Sequence, residues 1–284
     1  MNKLSFQGAH IVFATKHKKS LAAKAPFARL LNATVDELPI ESDTLGTFSG
    51  EVPRPGSMLD ALRGKVALAR SLTRERFVLA SEGSFGSAGG LGLLAQGVEM
   101  LLLHDAQTGT EIIEQHISLT TNYAYRELQH REELAAFLRC IRFGSHGLLL
   151  YPKGLLVAQA VHKGITKEES AHEWFSTCLK ASPQGAVVAM SDMRAHINPT
   201  RMGEIGACCE LLAQRLATRC ARCESGGFGL TASVPGLPCS GCGAPTQRAR
   251  AEKHSCAVCG STLEFPRADG RRHADPAECE WCNP

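Results

Sequence analysis

Four Cys-x-x-Cys pairs at the C-terminal end of the chain limit its fold more than any other feature. They contain eight of the 12 cysteines: Cys220 and Cys223, Cys239 and Cys242, Cys256 and Cys259, and Cys279 and Cys282. Such a turn presents two sulfurs side by side, and tetrahedral Zn²⁺ takes four thiolates, so two turns close one site. The chain begins without a secretory signal, and in a reducing compartment this spacing favours metal over disulfides. Two structural zinc ions are therefore expected.

The spacing leaves open which turns share a metal. Sequential pairing joins the first turn with the second and the third with the fourth, which gives two zinc ribbons. Cross-braced pairing joins the first with the third and the second with the fourth. The glycines after Cys242 and Cys259 permit the left-handed turn that a knuckle needs. We expect a double zinc-ribbon module over residues 216–284, in which metal binding supplies free energy that a small core lacks.

The rest of the chain, residues 1–215, predicts an α/β domain with a mixed sheet and flanking helices, because short apolar runs alternate with helical patterns. Its 44% hydrophobic composition is enough for a sizeable core. The predicted strands cover residues 10–14, 76–80, 98–104, 110–118, 147–151, 155–161 and 186–190. The predicted helices cover residues 22–31, 58–70 and 131–141, with two more that begin near Thr166 and Asn198.

Local signals refine several of these elements. Ser57 with Asp60, and Thr166 with Glu169, are spaced as capping boxes at helix starts. Residues 81–86 directly follow the strand predicted over 76–80 and are rich in Gly and Ser, which let a ligand approach the backbone; a plain turn with the same composition is the alternative. Trp174 and Phe175 are expected in the core of their helix, and Cys208 and Cys209, which lack the Cys-x-x-Cys spacing, are expected to be small core residues.

The segment from Ala186 to Arg201 is the strongest candidate for a binding site. A buried strand ends near Met190, and Asn198 with Pro199 begins a helix, where the Asn side chain caps free amides and Pro is tolerated. Asp192, Arg194 and His196 therefore lie between the carboxyl end of a strand and the amino end of a helix. This position favours anion binding, because free amides and the positive end of the helix dipole lie there.

Two further segments predict contacts with a phosphate. Thr15, Lys16 and Lys19 follow the first strand and precede a helix, and Glu82 directly follows a second buried strand among small residues. A basic turn in that position suits an anion, whereas an acid at a strand end suits a metal-bound phosphate. The loop that carries Asp43 and Arg54 leads into the next helix.

Motifs distributed along the chain resemble a bacterial family described only as a domain of unknown function. They read ATKHKK, DTLGTFSGEVPR, ASEGSFG, SDMRAHINPTRM, GLPCSGCG and CEWCNP. This resemblance implies an α/β domain followed by a cysteine-rich zinc tail and implies no particular activity.

The N-terminal half also resembles the inosine/xanthosine triphosphate pyrophosphatases, through residues 15–19, 63–67 and 81–84. That resemblance implies that Lys16, Lys19 and Lys65 contact a triphosphate, and that Glu82 binds Mg²⁺ or acts as a base for water. Two positions depart from the pattern. Asp60 at best replaces the acid early in the long helix, and Ser81 replaces the second acid at the strand end.

These observations favour a Mg²⁺-dependent hydrolase of a nucleotide or another phosphorylated small molecule. Glu82, with Asp43 or Asp192, would hold the metal, and His196 would transfer a proton. The expected catalytic residues are Glu82, Asp192 and His196. The expected substrate-binding residues are Thr15, Lys16, Lys19, Asp43, Thr44, Arg54, Lys65, Ser84, Arg194, Asn198 and Arg201.

Two alternatives stay open at this point. One is a non-catalytic nucleotide sensor whose zinc tail binds nucleic acid or a protein partner; the other is an enzyme that modifies RNA or a nucleobase. A net charge of +3 is too small to predict nucleic-acid binding by itself, although the tail is locally basic. The chain contains no run of 18 apolar residues, so we expect a soluble, cytoplasmic protein without a membrane partner.

Overall fold

The computed structural model describes residues 3–47, 49–88 and 94–284, and the chain divides into two compact units. The larger unit is Gly8–Ala213, and the smaller contains residues 3–7 together with Gln214–Pro284. Phe48, which belongs to one of the motifs above, lies outside the described residues. Among those that are described, no helix is both long and apolar enough to cross a lipid bilayer.

A five-stranded mixed sheet forms the first half of the larger unit, in the order β2-β1-β3-β4-β5. Its strands are β1 (His10–Ala14), β2 (Thr34–Leu38), β3 (Phe77–Ala88), β4 (Leu94–Asp105) and β5 (Glu111–Ser118). Strand β1 lies between β2 and β3 and is parallel to both, whereas β3, β4 and β5 form an antiparallel meander with β3 at the centre of the sheet. The order of alternating elements therefore produces the mixed α/β architecture that was predicted.

Two helices precede β2 and β3: α1 (Ser20–Leu31) and α2 (Met58–Leu72). The predicted capping box of α2 is confirmed, because Ser57 Oγ accepts a hydrogen bond from the Asp60 amide and the Asp60 carboxylate accepts one from the Ser57 amide. Leu62 and Val66 on one face of α2 pack with β1 and β3 in a buried cluster. A short 3₁₀ helix, Ser42–Leu45, lies in the loop before α2.

The predicted end of β3 at Ala80 is wrong, since residues 81–86 continue this strand, and the alternative of a plain turn is excluded for them. Gly83 pairs with Glu99 and Gly86 pairs with Gln96 of β4. Cross-strand pairing over the whole length of β3 overrides the turn preference of Gly and Ser. The residues of this segment are consequently fixed on a sheet rather than on a loop.

A four-stranded sheet forms the second half of the larger unit, in the order β6-β9-β7-β8 with antiparallel pairs. Its strands are β6 (Tyr125–Leu128), β7 (Leu148–Pro152), β8 (His162–Ile165) and β9 (Val187–Ser191). The helices α3 (Arg131–Cys140) and α5 (Glu168–Ala181) cover it, and Phe137 and Phe175 pack there in the core. Helix α6 (Pro199–Ala217) follows β9. The core positions predicted for Cys208 and Cys209 are confirmed.

Three local predictions in this half are wrong. The strand expected over 155–161 is a single helical turn, α4 (Val157–Ala160), and pairing with β7 starts only at His162; a short apolar run does not distinguish the two structures. The capping box of Thr166 and Glu169 is absent, because α5 begins after Lys167 without a side-chain cap. Trp174 is 38% exposed and stacks on His162, so it lies outside the core.

The smaller unit is built on three antiparallel strands, β10 (Gly229–Pro235), β11 (Ala249–Ser255) and β12 (Thr262–Pro266). Its N-terminal segment is held by hydrogen bonds from the Leu4 amide to Ser225 Oγ (3.1 Å) and from the Gly226 amide to the Leu4 carbonyl (2.8 Å). Residues 3–7 therefore fold with the C-terminal part of the chain.

Candidate functional site

A cleft of about 390 Å³ lies in the larger unit, with both sheets contributing to its lining. The first sheet contributes the residues after β1 and Ser81–Phe85 of β3, and the second contributes Leu149 and Met190. Most of the residues predicted to form a site line this cleft: Thr15, Lys16, Lys19, Asp43, Arg54, Lys65, Glu82, Ser84, Asp192, Arg194 and Arg201. The fold thus brings together segments that are separated by up to 187 positions in the sequence, from Ala14 to Arg201.

Three predicted site residues are not among the residues that line the cleft. Thr44 is exposed on the 3₁₀ helix. Asn198 is buried and caps α6, because its Oδ1 accepts from the Arg201 amide (3.0 Å) while its Nδ2 donates to the Asp192 carbonyl (3.1 Å). His196 stacks on His17 at a ring distance of 5.0 Å. Asn198 therefore has the helix-capping role predicted for it, and it positions Asp192 and Arg201 through the backbone.

The lining of the cleft is strongly cationic. Its positively charged side chains are Lys16, Lys19, Arg54, Lys65, Lys163, Arg194 and Arg201. Its carboxylates are Asp43, Glu82 and Asp192. The lining holds seven cations and three carboxylates, while Glu51 and Glu99 outside the lining pair with Lys163 and Arg201; a smaller excess of positive charge remains, so the cleft favours an anionic ligand.

Glu82 is held between two of these cations. Arg54 Nη2 donates to Glu82 Oε1 (2.7 Å), and Lys65 forms an ion pair with Glu82 Oε2. Lys65 also donates to the Ser81 carbonyl (2.8 Å). Burial raises the pKa of Glu82, but the charges of Lys65, Lys19 and Arg54 and the hydrogen bond from Lys65 outweigh it and lower the pKa. Glu82 is therefore a carboxylate at neutral pH.

The other two acids are also paired with cations. The Arg194 guanidinium donates to both oxygens of buried Asp192 (3.0 and 2.7 Å), and the Gly164 amide donates to Asp192 Oδ2 (3.0 Å). Lys16 Nζ lies 2.8 Å from Asp43 Oδ2. Outside the cysteine clusters described below, the described residues bring no three metal-binding side chains together. Each carboxylate of the cleft therefore faces a cation rather than another acid.

Arg201 is fixed by a buried ion pair that the sequence did not indicate. Its Nε lies 2.7 Å from Glu99 Oε1 of β4, and its guanidinium lies over the Phe85 ring at 4.8 Å. Gly83 leaves room for this arrangement, because a Cβ there would lie 2.4 Å from Arg201 Nη2 and 2.8 Å from Glu99 Oε1, so that both side chains would have to shift. Gly83 is the feature of the sequence that could have indicated this pair, since a glycine inside a strand often marks a place where other groups approach the backbone closely.

Lys163 and His17 also line the cleft, although neither was selected from the sequence. Lys163 forms an ion pair with Glu51. Burial, with the charges of Lys19, His196 and Arg194, lowers the pKa of His17 to about 3. Its Nδ1 is buried without a hydrogen-bond partner among the described residues. His17 could have been selected as a site residue from the sequence, because it lies in the basic turn after β1.

Two clusters of four cysteines in the smaller unit are positioned to bind metal ions. One contains Cys220, Cys223, Cys256 and Cys259, and the other contains Cys239, Cys242, Cys279 and Cys282. The sulfurs of each cluster lie within 4.8 Å of one another, and four cross-turn pairs are separated by 3.6 to 3.8 Å. A tetrahedron with Zn–S bonds of about 2.3 Å has edges of about 3.8 Å, so both clusters fit a tetrahedral thiolate site.

The pairing of the turns is cross-braced, and the sequential alternative is wrong. The first turn shares its cluster with the third because β10 and β11 pair Gly229 with Ser255, which places these turns side by side. The second turn meets the fourth through a β-bridge between Cys239 and Ala274. The cross-braced pairing depends on hydrogen bonds between segments that are distant in the sequence. The spacing of the cysteines alone therefore could not distinguish it from sequential pairing.

The left-handed turns predicted after two of the knuckles are confirmed. Gly243 and Gly260 have φ angles of +72° and +69°. Glu224, at the corresponding position of the first knuckle, adopts the same conformation with a φ of +58°. Its side chain forms an ion pair with Lys3 (2.7 Å), which ties the first knuckle to the N-terminal segment of this unit.

A family model described as a domain of unknown function, DUF6671, matches residues 65–284. Neither the curated proteins nor the solved structures contain a significant match to this chain. The resemblance of the N-terminal half to the inosine/xanthosine triphosphate pyrophosphatases is therefore not confirmed.

Proposed function

Because the chain belongs to the DUF6671 family, whose description gives no activity, we propose a function from the cleft: the larger unit binds a phosphorylated small molecule and hydrolyses it. The observation that carries this proposal is the convergence of seven lysine and arginine side chains on a cleft of about 390 Å³. Ligand pockets have volumes of about 300 to 1,000 Å³, so a mononucleotide is of suitable size.

The cations differ in the contacts they offer to a phosphate. Arg54 and Arg194 present planar guanidinium groups that match two oxygens of one phosphate. Lys16 and Lys65 provide compact charges, and the hydroxyls of Thr15 and Ser84 provide neutral donors. The Arg201 guanidinium is paired with Glu99, so it keeps its position when the ligand binds.

Hydrolysis is the reaction that Glu82 favours. A bound phosphate competes with Glu82 for Arg54 and Lys65, and this exchange of partners releases the carboxylate within the cleft. Mg²⁺ is commonly held by one or two carboxylates together with substrate phosphates, so Glu82 suffices as the protein ligand. The metal would polarise the phosphoryl group and lower the pKa of an attacking water.

The experiment is turnover of the purified protein with a panel of nucleoside triphosphates and Mg²⁺, with phosphate and pyrophosphate release as readouts. We expect Glu82→Gln to reduce turnover by roughly 10²- to 10³-fold while ligand binding remains. Unchanged turnover in a correctly folded Glu82→Gln protein would contradict the hydrolytic role.

Binding has its own matched pair of variants. Arg54→Ala should weaken nucleotide affinity by about tenfold or more, because it removes a donor from the cleft. Arg63→Ala is the control, since Arg63 lies on α2 two residues from Lys65 but pairs with Glu111, outside the cleft lining. Equal affinities of the two variants would contradict the proposed binding site.

A nucleotide sensor without catalysis is the second candidate. It is favoured by the pairing of every cleft carboxylate with a cation, because ligand binding then requires no metal. This candidate predicts that a nucleotide raises the melting temperature in the absence of turnover. The same panel distinguishes the two functions.

We propose zinc as the metal of both cysteine clusters, in a structural role because the protein fills all four positions of each. Elemental analysis should give two zinc ions per chain.

The smaller unit is also proposed as a docking module for a protein partner. Four of its arginines, Arg248, Arg250, Arg267 and Arg271, already pair with acids, whereas Phe265 and Trp281 are exposed.

A further inference from the structure

Lys19 differs from the other cations of the cleft in its partner. The others pair with carboxylates: Lys16 with Asp43, Arg54 and Lys65 with Glu82, Lys163 with Glu51, Arg194 with Asp192, and Arg201 with Glu99. Lys19 is only 5% exposed, and its Nζ donates to the Ser81 hydroxyl at 2.9 Å. In the described part of the chain it has no carboxylate partner.

The surroundings of Lys19 disfavour a charged amine. A buried ammonium without a counter-ion is costly, and here burial, followed by the charges of Arg201 on α6 and Lys65 on α2, lowers the pKa of Lys19 to about 7. Glu99 on β4 and Glu82 on β3 oppose this shift without reversing it. Among the described residues, His17 in its own turn and Cys209 on α6 also interact with Lys19. Near neutral pH, Lys19 is therefore divided between its neutral and charged forms.

We propose that Lys19, with the Ser81 hydroxyl and the neighbouring Lys65, forms a subsite for the terminal phosphoryl dianion of the ligand, and that Lys19 takes up a proton from solution when this group binds. The inference rests on the proposed function and names its substrate class, which is phosphate monoesters and polyphosphates with a free terminal phosphoryl group. A dianion provides the missing counter-ion and offsets the charges of Lys65 and Arg201. A phosphodiester carries only one charge and offsets them less.

Proton uptake on binding follows from this arrangement. At pH 8 about nine-tenths of Lys19 is neutral, so a bound dianion should draw about 0.9 proton from solution. At pH 6 the uptake should fall to about 0.1 proton. Above pH 7 the affinity should decrease by about tenfold per pH unit through this linkage.

The test is isothermal titration calorimetry with sulfate in two buffers of different ionisation enthalpy, at pH 6 and pH 8. Sulfate has the shape and charge of a phosphoryl dianion but does not titrate near neutral pH, so the uptake belongs to the protein. Lys19→Arg retains a permanent charge and should show no uptake, with an affinity that no longer depends on pH. Lys24→Arg, on the exposed side of α1, is the control and should behave like the wild type. Competition by methyl phosphate should exceed that by dimethyl phosphate by about tenfold.

The outcomes separate this inference from the proposed function. An uptake below about 0.2 proton at pH 8, or an uptake that Lys19→Arg retains, overturns the inference, and the proposed function stands if nucleotide binding still depends on Arg54. Should Lys19→Arg not fold, Lys19→Met replaces it and should lose both the uptake and the preference for the monoester. If the wild-type protein binds neither nucleotide nor sulfate, the proposed function fails and the inference fails with it.

Discussion

The cysteine clusters and the cleft are built in opposite ways. Each cluster takes its ligands from two turns in which the cysteines are three positions apart, so most of its geometry is local. The cleft takes its charges from the loops after β1, β2 and β9 and from α2, β3, β8 and α6, and none of these segments forms a site alone. Strand pairing decides only which two turns of a cluster meet, whereas the cleft depends on the separate contacts that hold each charged side chain.

The largest expected effect is on the smaller unit. Removal of the proposed zinc ions, or Cys220→Ser, should unfold this unit, because structural zinc contributes roughly 10 to 16 kcal/mol per site. Limited proteolysis followed by mass spectrometry should show cleavage after residue 214 while the larger unit stays intact. Cys140→Ser is the control, since Cys140 is an exposed cysteine outside both clusters. Resistance of the metal-free protein to proteolysis would contradict a metal-dependent fold.

The next effect tests how strictly the cleft depends on one contact. Gly83→Ala should displace the buried Arg201 and Glu99 side chains and lower the free energy of unfolding by about 1 to 3 kcal/mol, with weaker anion binding. Gly86→Ala, on the same strand, is the matched control, because a Cβ there meets nothing within 4 Å. Chemical denaturation measures both. If the two variants were equally stable, the close approach at Gly83 would have no energetic role.

This difference between the two regions also explains what the sequence could predict. The metal ligands follow from a fixed spacing, and charged residues beside strand and helix ends, such as Lys16, Glu82 and Arg194, line the cleft as expected. Glu99 was missed because its partner Arg201 is 102 positions away, and Lys163 because its partner Glu51 is 112 positions away. Hydrogen bonding between strands also determines which cysteine turns share a metal site and where β3 ends. The residues next to these features in the sequence do not indicate either of them.

A third prediction concerns the cost of burying Lys19. Its pKa is about 7 in the folded protein and has the ordinary value of 10.5 when unfolded, so unfolding takes up a proton between these values. The destabilisation is fully present below pH 7 and disappears above pH 10.5. Lys19→Met should therefore raise the melting temperature by about 2 to 4 °C at pH 6, or about 1 kcal/mol, and by less at pH 9.5, while the preference for a phosphate monoester is lost.

Differential scanning fluorimetry at the two pH values measures this effect. Lys24→Met provides the control, because Lys24 is an exposed lysine of α1 and should change the melting temperature at neither pH. A lower melting temperature for Lys19→Met at both pH values would mean that Lys19 stabilises the fold. That result would remove the contrast between a cleft maintained for binding and cysteine clusters maintained for stability.

The smallest effect distinguishes the two cysteine clusters from each other. The cluster of Cys220 packs against Phe228 and Val258, and all four of its cysteines are buried or half-buried. In the other cluster, Cys242 and Cys282 are exposed. Because thiol reagents and chelators reach exposed sulfurs first, the second cluster should lose its metal about fivefold faster, a difference of about 1 kcal/mol in activation free energy.

Timed alkylation with mass spectrometry should show Cys242 and Cys282 modified before Cys223 and Cys259. Simultaneous modification of both clusters would instead indicate that the cross-braced unit opens as one cooperative structure, so that the exposure of a single sulfur does not set the rate.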